Sequence, residues 1–234
     1  MRFLKVFIAI FLLNLSLDIY FNNTKEFYQY RVVTKPLITL LLVFFFYINS
    51  HAMLFRNRLI IIGALLFLCA GDVLLLQDTS FYSLIGGLTL FLIAVLLYSL
   101  YLYKQTRYDI DRLIPYLAVS LLISLSMIYL MYDGLNNLLI PVMIYLVTIL
   151  NFLKIAFLRY KNVNIKSYRL VFVGILCFTL VQMIIGLNEF YKTLPYTDVY
   201  IMLFYGSSQL LIILGILAIN PKENIRKQED AFLM

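Results

Sequence analysis

Long apolar runs separated by short polar stretches dominate the chain. Most of them approach the ~20 residues that a helix needs to cross the hydrocarbon of a bilayer. Eight such runs have the approximate bounds 3–20, 36–48, 59–76, 81–103, 113–132, 138–157, 170–187 and 199–219. They predict an all-α integral membrane protein, a bundle of about eight transmembrane helices. We expect residues 1–220 to form one polytopic domain and residues 221–234 a short cytoplasmic tail.

The composition excludes a soluble domain and several kinds of metal site. Hydrophobic residues make up 63% of the chain and charged residues 13%, against about 45–50% and ~25% in soluble domains. A single His and two Cys are too few for a multi-histidine zinc site or a cysteine-rich cluster. We therefore expect neither a metal nor a cofactor.

The basic residues divide unevenly between the two predicted faces of the membrane. Of the 19 Lys and Arg residues, all but four lie on the face with both termini. The exceptions are Lys25, Arg31, Lys35 and Lys192. This distribution indicates that both termini are cytoplasmic and fits a bacterial-type inner membrane. It also explains the net charge of +7 without a nucleic-acid partner.

Polar residues within the apolar runs are the candidates for function, because such groups are costly in hydrocarbon. Five spans supply Asn14, Asp18, Lys35, Asp72, Gln182, Tyr205 and Gln209, and most fall in the outer half of the bilayer. They predict a polar pocket that opens outward. The alternative is that they hold helices together through a Lys35–Asp72 pair and amide hydrogen bonds. Because proline suits a first helical turn, Pro36 predicts that Lys35 caps the second span.

Asp72 is the candidate general acid. It follows Gly71 and precedes the run Val-Leu-Leu-Leu, and apolar surroundings disfavour the charged form of a carboxyl group. A carboxylic acid that keeps its proton at neutral pH can serve as a proton donor. A nearby Lys35 would favour the carboxylate instead, and the sequence leaves this choice open.

Several motifs resemble those of the YhhN-like family of membrane proteins, which includes the lysoplasmalogenases. The first half carries Thr34-Lys35-Pro36-Leu37, Gly63-Ala64-Leu65-Leu66-Phe67, Gly71-Asp72-Val73-Leu74-Leu75, Phe81, Gly87, Phe91 and Tyr98. The second half carries Pro141-Val142, Tyr145, Gly174, Phe178-Thr179-Leu180, Phe190, Leu194-Pro195, Met202, Tyr205 and Gln209. The resemblance covers roughly residues 30 to 216.

The resemblance implies hydrolysis of the vinyl-ether bond of a lysoplasmalogen to a fatty aldehyde and a glycerophospho headgroup. Asp72 would then be catalytic, and the implied substrate-binding residues are Lys35, Tyr98, Tyr145, Gln182, Tyr205 and Gln209. The partner implied is a membrane lysophospholipid. Two positions depart from the family pattern, since Val95 stands where the family usually has His and Gln182 where it has Asp.

These departures motivate an alternative function, a catalytically impaired member of the family that binds or senses lysolipids. A second alternative is a small transporter, because Pro36, Pro115, Pro141 and the pair Gly86-Gly87 could interrupt helices near a site. A serine hydrolase is not indicated, since the chain lacks the G-x-S-x-G elbow. His51 lies at the predicted cytoplasmic face, far in depth from Asp72.

Overall fold

The fold of this multi-pass membrane protein consists of helices joined by short turns. The computed structural model describes residues 2–77 and 81–219, so the predicted tail 221–234 lies outside the described residues. These contain no strand, and their helices are α1 (Arg2–Asn23), α2 (Arg31–Asn49), α3 (Phe55–Gln77), α4 (Phe81–Tyr103), α5 (Ile110–Leu135), α6 (Leu139–Leu158), α7 (Ile165–Phe190) and α8 (Thr197–Leu217). The predicted helical membrane fold is thereby confirmed.

Successive helices run antiparallel, as the predicted alternation of spans requires. In the α1–α2 pair, for example, the Phe7 and Phe45 rings stack with centroids 4.0 Å apart near the start of α1 and the end of α2. We call the end with the α1–α2, α3–α4, α5–α6 and α7–α8 connections the outer end and the opposite end the basic end. The cytoplasmic position of the termini stays a prediction.

Helices α5 and α6 form a hairpin within one long segment, which polar residues interrupt at the turn. By length and composition, seven helical segments of the described residues can cross a membrane, and one of them is the 49-residue segment Ile110–Leu158. Within it the chain turns at Asn136, which has a φ of 42°, and the Arg112 guanidinium lies 4.3 Å from the centre of the Phe157 ring. The start of α5 therefore lies beside the end of α6, which accounts for two of the eight predicted runs.

The predicted start of the second span is wrong. Residues Lys25–Tyr30 form a 3₁₀ helix that leads directly into α2 at Arg31, so Pro36 lies inside the helix. Pro36 is the sixth residue of α2, so its missing N–H removes one backbone hydrogen bond of the second turn. The helix nevertheless begins five residues before the position that the proline signal marks. Lys35 consequently lies about one turn inside α2, where it can reach α3.

Helices α7 and α8 pack closely against each other, and α8 lies in the middle of the bundle. A Cβ atom at Gly174 would lie 2.9 Å from the Ser208 carbonyl oxygen, and one at Gly215 would lie 2.8 Å from the Val171 amide nitrogen. Glycine at these positions lets the two backbones approach, as small residues commonly do in membrane helix pairs. Tyr205 is thereby placed in the protein interior rather than in lipid.

The predicted helix interruptions are absent from the described residues. Helix α2 continues through Pro36 and α5 through Pro115, while α4 runs unbroken through Gly86 and Gly87. Each proline is the sixth residue of its helix, where it removes one backbone hydrogen bond without ending the helix. The structure therefore offers no discontinuous helix, within the residues it describes, of the kind that builds transporter sites.

One of the basic residues on the predicted cytoplasmic face is not on the protein surface. The Arg159 side chain is completely buried at the basic end, where Nη2 donates to Gln105 Oε1 at 2.7 Å and to Ser167 Oγ at 3.1 Å. Burial lowers the pKa of this guanidinium to about 10, because desolvation disfavours its charged form. Arg159 therefore joins the segments that follow α4 and α6 to the first turn of α7.

Candidate functional site

Asp72, Lys35 and Tyr205 form a buried cluster that joins α3, α2 and α8, and we call it the acid cluster. Lys35 Nζ lies 3.5 Å from Asp72 Oδ1, and the Tyr205 hydroxyl donates to Asp72 Oδ2 at 2.6 Å. Asp72 is 2% exposed and Tyr205 4%. Each carboxylate oxygen therefore has a partner that stabilises the deprotonated form. The Lys35–Asp72 pair, predicted above as the alternative to a pocket, is confirmed as a contact.

Asp18 forms a second buried ion pair between α1 and α2. Its Oδ2 lies 3.5 Å from Arg31 Nη2, and its Oδ1 accepts a hydrogen bond from Thr34 Oγ1 at 2.6 Å. Asn14 Nδ2 donates to the Thr34 carbonyl oxygen at 3.0 Å. Because these contacts join the outer parts of α1 and α2, they fix the segment of α2 that presents Lys35 to Asp72.

Tyr98 and Gln209 make a neutral contact deeper in the bundle. The Tyr98 hydroxyl donates to Gln209 Oε1 at 3.2 Å, and both residues are almost completely buried. Gln209 lies one turn beyond Tyr205 on α8, so this contact continues the polar face that begins at Asp72. Val95, the position for which the family pattern suggests His, is also buried, with 1% exposure.

Tyr145 and Gln182 form a third polar pair, and this pair lines a cavity. The Tyr145 hydroxyl donates to Gln182 Oε1 at 2.9 Å, while the Gln182 amide nitrogen makes no hydrogen bond within the described part of the chain. A cavity of about 80 Å³ lies between α4, α5, α6 and α7, and we call it the α4–α7 cavity. Its walls are mostly apolar and include Leu88, Met127, Met131, Ile149 and Met183.

The structure divides the predicted site residues into two regions. Lys35, Asp72 and Tyr205 are in direct contact, and the Tyr98–Gln209 pair lies next to them on α8. Tyr145 and Gln182 face the α4–α7 cavity instead, and no side-chain hydrogen bond between described residues connects them to the acid cluster. The residues expected around one outward pocket thus lie in a closed ionic cluster and a separate cavity.

Some residues of the two regions could not be recognised from the sequence. The pattern places Arg31 in a loop between spans, yet it is buried against Asp18. Its spacing of four residues from Lys35, on one helical face, becomes a signal only when α2 is known to begin at Arg31. The cavity methionines Met127 and Met131 also have this spacing, but methionine on a membrane helix normally indicates only an apolar face.

The described residues offer no cluster of three His, Cys, Asp or Glu side chains that could hold a metal ion. The groups present at the acid cluster are a carboxyl group, an amine and a phenol. Such groups can transfer protons and stabilise a positive charge.

The sequence model of the YhhN family matches residues 30–216 of the chain. That range begins at the end of the 3₁₀ helix before α2 and ends within α8, so it contains both the acid cluster and the α4–α7 cavity. Neither a curated protein nor a solved structure matches the chain.

Proposed function

The chain belongs to the YhhN family, and on that premise we propose that it hydrolyses the vinyl-ether bond of a lysoplasmalogen or a related ether lysolipid. The observation that carries this proposal is the acid cluster, in which an intramembrane carboxyl group is held between an amine and a phenol. A charged pair at this depth costs free energy to bury. A bacterial-type inner membrane is the proposed location, with a lysophospholipid as the substrate.

The reaction begins with transfer of a proton to the vinyl carbon that does not bear oxygen. The adjacent carbon becomes an oxocarbenium ion, to which water adds with loss of a proton. The hemiacetal then breaks its bond to the glycerol oxygen, releasing a fatty aldehyde and a free hydroxyl on the glycerophospho headgroup. The net change is the addition of one water molecule, so the reaction balances without an oxidant or a reductant.

Asp72 is the proposed proton donor. The ammonium group of Lys35 can pass a proton to Asp72 Oδ1, across the 3.5 Å that separates the two atoms. This step converts the buried ion pair into a neutral acid and a neutral amine. After protonating the substrate, the carboxylate stabilises the oxocarbenium ion, as one carboxylate does in glycoside hydrolysis. The proton that the attacking water releases returns to Lys35, which restores the Lys35–Asp72 ion pair.

The remaining polar residues have proposed roles in binding. Tyr205 holds Asp72 Oδ2 through its hydroxyl, and the Tyr98–Gln209 pair orients water or the glycerol portion of the substrate. Tyr145 and Gln182 bind the substrate from the α4–α7 cavity. Lys35 supplies the proton of Asp72.

Release of aldehyde from a lysoplasmalogen by the purified protein in liposomes tests this function. Asp72→Asn should lower the rate at least about 100-fold, because an amide cannot donate the proton. Ser126→Ala is a matched control, since Ser126 lies on α5 and its hydroxyl only donates to the Leu122 carbonyl oxygen. Aldehyde release that is unchanged in Asp72→Asn would refute the assigned role.

A second candidate function is lipid binding without turnover. The α4–α7 cavity favours it, because the cavity lies at Tyr145 and Gln182 while both Asp72 oxygens are occupied by Lys35 and Tyr205. Val95 and Gln182 also stand where the family pattern has His and Asp. If this function is correct, lysolipid should stabilise the wild type thermally without aldehyde release. Turnover that appears only in Val95→His with Gln182→Asp would indicate decay of an ancestral enzyme.

A further inference from the structure

The α4–α7 cavity has the chemical character of a site for one hydrocarbon chain. Its lining is almost wholly apolar, and Met127, Met131 and Met183 contribute to it from two helices. An apolar cavity of roughly 150 Å³ can hold benzene, so about 80 Å³ accepts a few methylene groups. Because methionine is unbranched and flexible, these walls can widen along a longer chain but do not provide room for two chains side by side.

The polar groups of the cavity are arranged along its length. The Tyr145–Gln182 pair lies on one side of the cavity, and Glu189 lies at its exposed rim near the end of α7. Glu189 lies seven positions after Gln182, which corresponds to about 10 Å along the helix. A ligand lying along α7 therefore meets a carboxylate at the membrane boundary and, deeper in the bilayer, the amide nitrogen of Gln182, which has no partner in the described part of the chain.

The charged side chains at the rim of the cavity favour some headgroups of single-chain lipids over others. Glu189 is exposed, and the neighbouring end of α5 carries a second exposed carboxylate, Asp133, next to Gly134, which lies against Phe190. Lys192 is the one cation in the short segment that follows α7. Carboxylates at this boundary attract a headgroup that ends in an ammonium and repel one that carries only phosphate.

We infer that the α4–α7 cavity binds the hydrocarbon chain of a single-chain lipid whose cationic headgroup lies at Glu189. This inference rests on the proposed function in taking the ligand to be a lysolipid, and it adds the place and direction of binding. The chain lies among the methionines, and the ammonium group is at the rim.

Photolabelling of the full-length protein in detergent tests the binding site directly. The probe is a lysophosphatidylcholine with a diazirine on its alkyl chain, which lacks the vinyl ether and cannot be hydrolysed to aldehyde. Peptide mapping should place the label in the segments around Met127–Met131 and Met183–Phe190. Labelling confined to exposed lipid-facing residues of α5, such as Leu122, would overturn the inference.

A variant that fills the cavity and a control variant test the occupant. Gly186→Phe should lower labelling about tenfold, because the new ring excludes methylene groups from the cavity. A Cβ atom at Gly63 meets only Leu97 at an ordinary 3.5 Å, so Gly63→Ala should leave labelling unchanged. Equal labelling of wild type and Gly186→Phe would show that the chain does not enter the cavity.

Competition by unlabelled lipids tests the headgroup. Lysophosphatidylcholine should compete better than lysophosphatidylglycerol of the same chain length, and Glu189→Gln should reduce that preference about two- to fivefold, the range of an exposed ion pair. Glu26→Gln, which alters an exposed carboxylate of the 3₁₀ helix, is the matched control. A preference that Glu189→Gln leaves intact would remove Glu189 from the site.

The outcomes for binding and for hydrolysis are independent. Label in the cavity without aldehyde release from a lysoplasmalogen would support the binding site and refute the hydrolase function. Aldehyde release with label elsewhere would support the hydrolase and overturn the binding site.

Discussion

The acid cluster and the α4–α7 cavity differ in how their polar groups are paired. In the acid cluster, the Asp72 carboxylate has Lys35 and Tyr205 on its two oxygens, and all three side chains are mostly buried. In the cavity, the neutral pair Tyr145 and Gln182 faces open space, and the Gln182 amide nitrogen has no hydrogen-bond partner among the described residues. The interior of this bundle thus admits charge where its partners are fixed, while the space for a ligand is lined by neutral groups except for Glu189 at its rim.

The largest stability effect should come from separating the ion pair of the acid cluster. Lys35→Met should lower the free energy of unfolding by about 3 kcal/mol, because Asp72 then stays buried without its counter-ion. The double variant Lys35→Met with Asp72→Leu should recover most of that loss, since neither charge remains. Thermal unfolding in detergent measures both. A double variant as unstable as the single one would mean that lost packing, rather than charge, dominates.

A smaller effect is expected at the rim of the cavity. A Cβ atom at Gly134 would fall on the Phe190 carbonyl oxygen, so Gly134→Ala must push α5 away from α7 and should cost about 1–3 kcal/mol. Labelling by the photoactivatable lysophosphatidylcholine should change in the same variant. Gly63→Ala serves as the control for adding a methyl group to a membrane helix. Equal stability of the two variants would contradict the close approach of α5 and α7.

Removing one tyrosine hydroxyl group from each region compares what the two hydrogen bonds contribute to stability. Tyr205→Phe should cost about 2 kcal/mol, because its hydroxyl donates to a charged carboxylate. Tyr145→Phe should cost about 1 kcal/mol or less, since its partner Gln182 Oε1 is neutral and borders open space. Paired unfolding measurements check the order. A larger loss in Tyr145→Phe would reverse the proposed difference between the regions.

The smallest effect is expected for Glu189→Gln. The side chain is exposed and forms no ion pair within the described residues, so its removal should change the free energy of unfolding by less than about 0.5 kcal/mol. Its effect should appear only in the headgroup preference. A marked loss of stability would indicate a structural role for Glu189 instead of one at a binding rim.

Most of the fold could be predicted from the chain, because each span needs enough apolar residues to cross hydrocarbon. The start of α2 could not, since the proline signal at Pro36 describes one local preference and the 3₁₀ helix before Arg31 overrides it. The α5–α6 turn could be predicted because its polar residues interrupt an otherwise continuous apolar segment. The depth of each polar residue follows from its position along its span.

The candidate site could be predicted only in part. Depth along a helix is a one-dimensional quantity, and it correctly predicts that Lys35 lies close to Asp72. Which face each helix presents depends on its neighbours, so depth could not separate Gln182 from Gln209. Gln182 faces the cavity beside α6, whereas Gln209 contacts Tyr98 of α4.

The amino-acid sequence alone therefore specified a helical membrane protein, the approximate limits of its spans, the uneven distribution of its basic residues and the set of polar residues in its interior. Burial of apolar segments in lipid leaves few alternatives at that level. The pairing of the interior charges in a closed cluster, and the position of the cavity away from it, emerged only in three dimensions. The reason is that side-chain contacts across helices depend on the rotation and close approach of α7 and α8, which glycine contacts fix in the folded bundle.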